Sequence, residues 1–229
     1  MMNAQTALDV IAQNLANAST TAYRRDGIAF NETLNRQMAD HAGNGRPLGT
    51  LGAAPGLTVR YTDFSPGPIS ETGRPLDVAL RGDGAFAVQT PNGVRYTRDG
   101  SFTLDAQQRL VTSDGFPVLD TQNRPIGPLE GQVEIAENGD VTASGVLVTR
   151  LGVFQGDFAK EGGNLCACPN PQAVTQPTLV PRALEGSNVQ AVEEMIAMIK
   201  TQRVFEMAQR SATSQDEITQ RLIQTLNTR

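Results

Sequence analysis

Apolar residues near the start of the chain keep a helical rhythm. Ala4, Leu8, Ile11, Leu15 and Ala18 follow one another at spacings of four, three, four and three, which sets them on one narrow stripe of a helix. Asp9, Gln13 and Asn17 lie off that stripe. The pattern predicts a helix over residues 3–17. Ser19-Thr20-Thr21 predicts its end, because short hydroxylated side chains compete for backbone hydrogen bonds. Residues 28–38 hold no single period and read as an irregular segment or a short helix. Residues 41–56, rich in Gly and Pro, read as a linker or loop.

From residue 57 to 158 the period shortens. Runs at 57–62, 76–81, 85–89, 94–97, 101–104, 109–112, 133–135 and 145–154 are short and rich in Val, Phe, Tyr and Thr. Between them stand Gly82-Asp83-Gly84, Pro91-Asn92-Gly93, Asp99-Gly100, Asp114-Gly115 and Asn138-Gly139, turn sequences that supply the positive φ a tight hairpin needs. Short strands with such turns predict an antiparallel, all-β domain. Residues 159–185 carry four prolines and both cysteines and read as a returning loop. From 189 to 227 there is no Gly or Pro, and Val189, Val192, Ile196 and Ile199 restore the helical spacing. Ile218, Leu222 and Leu226 share a face further on. Ser187 or Asn188 is placed to cap this helix, and Glu193 and Glu194 sit early in it, where the helix dipole favours anions.

The expectation is an α+β chain. Residues 1–40 and 186–229 form a terminal helical domain whose helices pair in a coiled-coil-like manner, residues 57–158 form the central β domain, and 41–56 and 159–185 connect them. The second helix would span roughly 58 Å at ~1.5 Å per residue, against a radius of gyration of about 17 Å for a compact chain of this length. Such a helix, with a narrow apolar seam, is marginal in water until something covers it. The first helix carries a matching seam, and two helices together still leave faces for neighbouring chains. The pattern alone therefore points to a polymer.

Composition narrows the remaining possibilities. A net charge of −5 argues against nucleic acid as a partner, which requires a basic face. No apolar run approaches the ~18–20 residues of a membrane span, and no charged start followed by an apolar stretch marks a cleaved secretory signal. Cys166, Cys168 and His41 are too few and too scattered for a structural zinc site, so the cysteines read as two unbridged thiols in a surface loop. Gly82-Asp83-Gly84 lacks the third glycine of a dinucleotide fingerprint and lies between strands. No catalytic constellation is present, and no cofactor is called for.

Two end motifs and two internal ones carry a family resemblance. The segment from Ala12 through Asn14-Leu15-Ala16-Asn17 to Tyr23-Arg24 is similar to the N-terminal signature of flagellar rod and hook proteins, with Gln13 and Ala22 where Asn and Gly are usual. Leu184-Glu185-Gly186-Ser187-Asn188-Val189 and Gln202-Arg203-Val204-Phe205-Glu206 resemble that family's C-terminal helix, with Phe205 where Tyr is common. Thr72 to Ala79 and Tyr96 to Phe102 resemble strands of the rod proteins' β domain. Family members usually carry further residues ahead of the position of Met2, so the first helix is expected to start late.

The resemblance implies a structural subunit of the flagellar basal-body rod, a helical shaft carrying torque from motor to hook, of proximal or distal type. It implies export through the flagellar apparatus without a cleaved signal, a place in the periplasmic rod, and partners that are other copies and other rod or hook subunits. The packing residues implied are Leu8, Ile11, Leu15, Val192, Ile196, Ile199, Leu222 and Leu226, with Asn14 and Asn17 as polar register contacts. A hook-type axial protein and a monomeric β-domain binding module with a terminal coiled coil are the alternatives. Leu15→Asp or Ile196→Asp is expected to abolish assembly while the β domain stays folded. A strain whose variant still builds rods and swims normally would remove the seam assignment.

Overall fold

The computed structural model describes residues 2–30, 35–39, 47–52 and 58–227. It is mostly antiparallel β-structure between two terminal helices and divides into two units.

The first unit gathers residues 1–14, 26–63 and 192–229. Helix α1 runs Met2–Ala16, as the apolar stripe predicts, and turns at residues 17–22 end it. Strands β1 (Asp26–Phe30) and β2 (Asn35–Ala39) follow, then β3 (Pro47–Gly52) and β4 (Thr58–Thr62). β1 pairs antiparallel with β4, from Asp26 opposite Thr62 to Phe30 opposite Thr58, and β2 pairs with β3. The irregular or helical reading of 28–38 is thus corrected to two strands, and the linker reading of 41–56 is corrected where β3 crosses it. His41 lies outside the described residues. The run predicted at 57–62 is β4, but its partner β1 was not found, because β1 is held by that distant strand rather than by a local pattern. Helix α2 (Ala191–Asn227) is one uninterrupted element of 37 residues.

The second unit gathers residues 15–25 and 64–191. Its strands are β5 (Ile69–Glu71), β6 (Val78–Arg81), β7 (Ala85–Thr90), β8 (Gly93–Thr97), β9 (Phe102–Leu104), β10 (Leu110–Thr112), β11 (Val133–Ile135), β12 (Asp140–Ala143), β13 (Val146–Arg150), β14 (Val153–Gln155), β15 (Ala159–Gly162), β16 (Leu165–Ala167), β17 (Gln172–Ala173), β18 (Thr178–Pro181) and β19 (Ala183–Glu185). The largest sheet has the order β15-β16-β8-β7-β14-β17, and smaller sheets pair β6 with β18, β5 with β19, β9 with β10, and β12 with β11 on one side and β13 on the other. The predicted loop at 159–185 is therefore corrected to five short strands. Their Gly, Pro and charged residues suit edges and short pairings, which are hard to tell from loop by composition. The single strand expected at 145–154 is two, β13 and β14, in different sheets.

β7 is buried on both faces. Phe86 and Val88 face the main core with Val78, Leu110, Leu151 and Val153, while Ala85 and Ala87 join a second cluster with Tyr96 and Phe154. Phe86 meets the edge of Phe102 at 5.3 Å between ring centroids. Most predicted turn glycines have positive φ, among them Gly93, Gly115 and Gly139. Gly100 does not. It is glycine for a different reason: a Cβ there would overlap the carbonyl oxygen of Val78.

One local device occurs twice. In Asp105-Ala106-Gln107-Gln108-Arg109, Asp105 Oδ1 accepts the N–H groups of Gln107 and Arg109 at 2.9 and 2.8 Å, and Arg109 Nε donates to Oδ2. Asp120-Thr121-Gln122-Asn123-Arg124 repeats this with distances of 2.7 and 2.9 Å to Oδ1 and an Arg124 bond to Oδ2. The fourth residue of each, Gln108 or Asn123, takes φ 59°. A carboxylate thus caps a tight turn that positions its own guanidinium.

Burial pushes the Asp120 carboxyl up, but the N–H donors of Arg124 and Gln122 and the Arg124 side chain outweigh it and hold the group below the usual carboxylate value. A lowered folded-state value gives stability that is present above the unfolded value of about 3.9 and is lost as pH falls through the folded one. Asp120→Asn should therefore cost about 1 kcal/mol at pH 7, and that difference should shrink towards zero on acidification below about pH 4. Urea unfolding of both proteins across that range measures it, and a pH-independent difference would refute the charge-based account.

Candidate functional site: an ionic clasp between three segments

The site is built in the second unit, where the chain leaving α1 meets the chain entering α2. Tyr23 N–H donates to Thr20 O at 3.3 Å and Ala22 N–H to Glu185 O at 2.8 Å. To make these bonds Ala22 adopts φ 55°, a left-handed conformation costing an L-residue roughly 1–2 kcal/mol. Tyr23 and Arg24 are buried. Lys160 Nζ lies 4.0 Å over the Tyr23 ring and donates to the Arg24 carbonyl at 2.9 Å.

Glu185 is the centre. It is 2% exposed. Its Oε1 accepts Arg24 Nη2 at 2.7 Å and the Gly67 N–H at 2.8 Å, and its Oε2 accepts Arg98 Nη1 at 3.1 Å. Arg24 Nη1 also donates to Ser65 O at 2.9 Å. Arg98 donates Nε to Gly84 O at 2.7 Å and Nη2 to Gly82 O. A buried carboxylate is tolerable only when its lone pairs are met in this way. Gly67 has to be glycine here, since a Cβ would overlap the carbonyl oxygen of Gly186.

Asn188 completes the clasp. Its Oδ1 accepts the Arg25 N–H at 2.7 Å, its Nδ2 donates to Ser65 O at 3.1 Å, and its own N–H donates to Tyr23 O at 3.3 Å. Ser187 Oγ accepts the Val189 N–H at 3.1 Å. Neither side chain caps α2, which starts at Ala191; the expected cap is corrected, because both are committed to the turn before the helix.

The seam residues expected from the sequence are distributed unevenly. Val192, Ile196 and Ile199 are 65%, 48% and 52% exposed on α2. Leu8, Ile11, Leu15 and Asn17 are half-buried. Leu222 and Leu226 fall within α2, but their side chains lie outside the described residues. Asn14 is fully buried: in the first unit its amide donates to Asp26 O at 2.8 Å and accepts the Asp26 N–H at 3.0 Å. It thus sets the register of its own chain. The ionic clasp itself was missed by the sequence reading, since Arg24, Arg98 and Glu185 are far apart in sequence and share no local pattern. Of the two cysteines expected in a loop, Cys166 belongs instead to β16, while Cys168 lies in the loop that follows it; both are half-buried and unbridged. Among the described residues no cluster of three or more His, Cys, Asp or Glu is placed to hold a metal, and no helix is long and apolar enough to cross a membrane.

Three family models match the chain in order: flagella basal body rod protein at residues 1–24, flagellar hook protein FlgE/F/G D1 domain at 79–143, and flagellar basal body rod FlgEFG protein C-terminal at 180–225. Among curated proteins, the flagellar basal-body rod protein FlgF of Caulobacter vibrioides is 34% identical over 96% of this chain and 91% of its own length. The FlgG rod protein of Bacillus subtilis is 33% identical over 97% and 94%. The chain belongs to the flagellar basal-body rod protein family. It is a structural protein of the flagellar basal body and not an enzyme. Each matched segment contributes one member of the buried ionic group: Arg24 from the rod N-terminal segment, Arg98 from the D1 domain and Glu185 from the rod C-terminal segment.

Glu185→Ala should cost about 3–5 kcal/mol, as expected when one partner of a buried ionic group is removed. Glu134→Ala, which removes a solvent-exposed partner 3.6 Å from Arg182, should cost about 0–1 kcal/mol. Equilibrium urea unfolding compares them, and equal costs would deny the clasp its structural role.

Proposed function

We propose that this rod-family chain polymerises into the helical drive shaft of the flagellum, with α1 and α2 pairing as a coiled coil in an inner layer and the β unit outside. The observation that carries this reading is the apolar surface of α2. Val192, Met195, Ile196, Ile199, Val204, Met207 and Ile218 are all exposed on one 37-residue helix. A polar helix in water gains nothing from such residues, and their burial is worth roughly 1.5–3 kcal/mol each when fully achieved. Leu8, Ile11 and Leu15 of α1 supply a seam of the same spacing. Neighbouring copies and other rod and hook subunits cover what the pair leaves open, through a heterologous contact that repeats along an axis. Delivery by the flagellar export apparatus into the periplasmic rod, without a cleaved signal, belongs to the same reading. Ends that order fully only on assembly would postpone polymerisation until the subunit reaches the growing tip.

Hydrogen exchange on the isolated chain tests this. The α2 amides should exchange fast while β7 and β8 stay protected, and α2 should gain protection in purified basal bodies, where electron microscopy of a labelled subunit should find it in the rod. A concentration-independent monomer with fully protected terminal helices would overturn the proposal.

A further inference from the structure

The two Asn-Gly turns among the described residues share a backbone type and differ in their surroundings. Pro91-Asn92-Gly93 joins β7 to β8, and Glu137-Asn138-Gly139 joins β11 to β12. Gly93 and Gly139 take φ 101° and 86°, as tight hairpins require. Asn44-Gly45 lies outside the described residues. Both Asn92 and Asn138 are exposed. The Asn138 side chain is fixed: its Nδ2 donates to Asp140 Oδ2 at 2.7 Å, and its Oδ1 accepts the Asp140 N–H at 3.1 Å. Asp140 is fixed in turn, since Arg150 Nε donates to its Oδ1 at 2.7 Å. Gly139 is buried, and a Cβ there would meet Pro177, Arg150 and Leu179 at 3.4, 3.6 and 3.6 Å. The Asn92 turn has neither restraint. The Asn92 side chain makes no hydrogen bond among the described residues. Beyond its chain neighbours, a Cβ on Gly93 would meet only Arg95 Nη1, at 3.7 Å.

We propose that Asn92 is a site of spontaneous deamidation, with water as the co-reactant, and that the Asn138 turn, of the same sequence type, is held against it. The Gly93 backbone nitrogen, losing its proton to solvent base, attacks Asn92 Cγ. A succinimide ring forms, the Cγ–Nδ2 bond breaks, and the amide nitrogen leaves as ammonia, taking up a proton from water. Water then adds to either ring carbonyl and opens the ring to aspartate or to isoaspartate; nothing is oxidised or reduced. The ring closes only if the side-chain carbonyl carbon swings over the next backbone nitrogen. Asn92 is free to make that rotation, whereas Asn138 must first give up both hydrogen bonds to Asp140. Two bonds of ordinary net strength, broken together, slow the step about tenfold or more. Both products place a carboxylate where the turn had an amide. Isoaspartate also lengthens the main chain between β7 and β8 by one carbon.

Peptide mapping by mass spectrometry on the full chain, incubated in mildly alkaline buffer, tests this without any substitution. Asn92 should convert about tenfold faster than Asn138, at a rate that rises with pH and with isoaspartate among the products. The same incubation in urea, which removes the fold, should bring the two rates together. Asp140→Ala should speed the conversion of Asn138 and leave that of Asn92 unchanged; if that variant unfolds, the comparison of folded and urea-unfolded chain decides. Equal rates at the two asparagines in the folded chain, or a difference that persists in urea, would overturn the proposal.

Discussion

The buried carboxylate of Glu185 constrains everything around it. Removing it from water costs several kcal/mol, and the cost is offset only if Arg24, Arg98 and the Gly67 N–H all converge on its two oxygens. These partners come from positions widely separated along the chain, so the second unit cannot shift one segment without stranding a buried charge. The net stabilisation from such a group is modest compared with apolar packing of the same volume. Its consequence is register. Ala22 accepts a left-handed backbone, Gly67 gives up its side chain, and Asn188 spends its amide on Arg25 and Ser65, all in the service of one arrangement.

The two units treat their apolar residues differently, and the difference suits a subunit of a larger structure. The second unit closes its core, where Phe86, Leu110, Leu119, Leu151 and Val153 are almost wholly inaccessible, while Val146, Leu147 and Val148 of β13 stay exposed. α2 leaves Val192, Met195, Ile196, Ile199, Val204, Met207 and Ile218 exposed. Asn14, in the first unit, bonds the backbone of Asp26, so a polar residue within an apolar stripe can also fix the fold of its own chain.

Much of the fold was legible because it rests on local chemistry. α1 and α2 follow from apolar spacing, and β6 to β11 from β-rich runs between Asn-Gly and Asp-Gly turns. What was not legible depends on distant partners. β1 needs β4, β19 needs β5, and β16 needs β8; alone, each is too short or too polar to stand out. The paired Asp-Arg turns at 105–109 and 120–124 were not read from the sequence, because only their bonding reveals a cap. The motifs that resemble the rod family held Arg24, Arg98 and Glu185 without indicating that the three would meet.

By itself the sequence determined the two helices, the β character between them, the family and the structural role, since periodicity, turn chemistry and ordered end motifs are properties of neighbouring residues. The tertiary structure decided which charges are buried together, which polar side chains are spent inside the chain, and which apolar residues stay exposed. Those depend on contacts between residues as far apart as Arg24 and Glu185, and no local pattern encodes the energy of a carboxylate enclosed by two guanidinium groups.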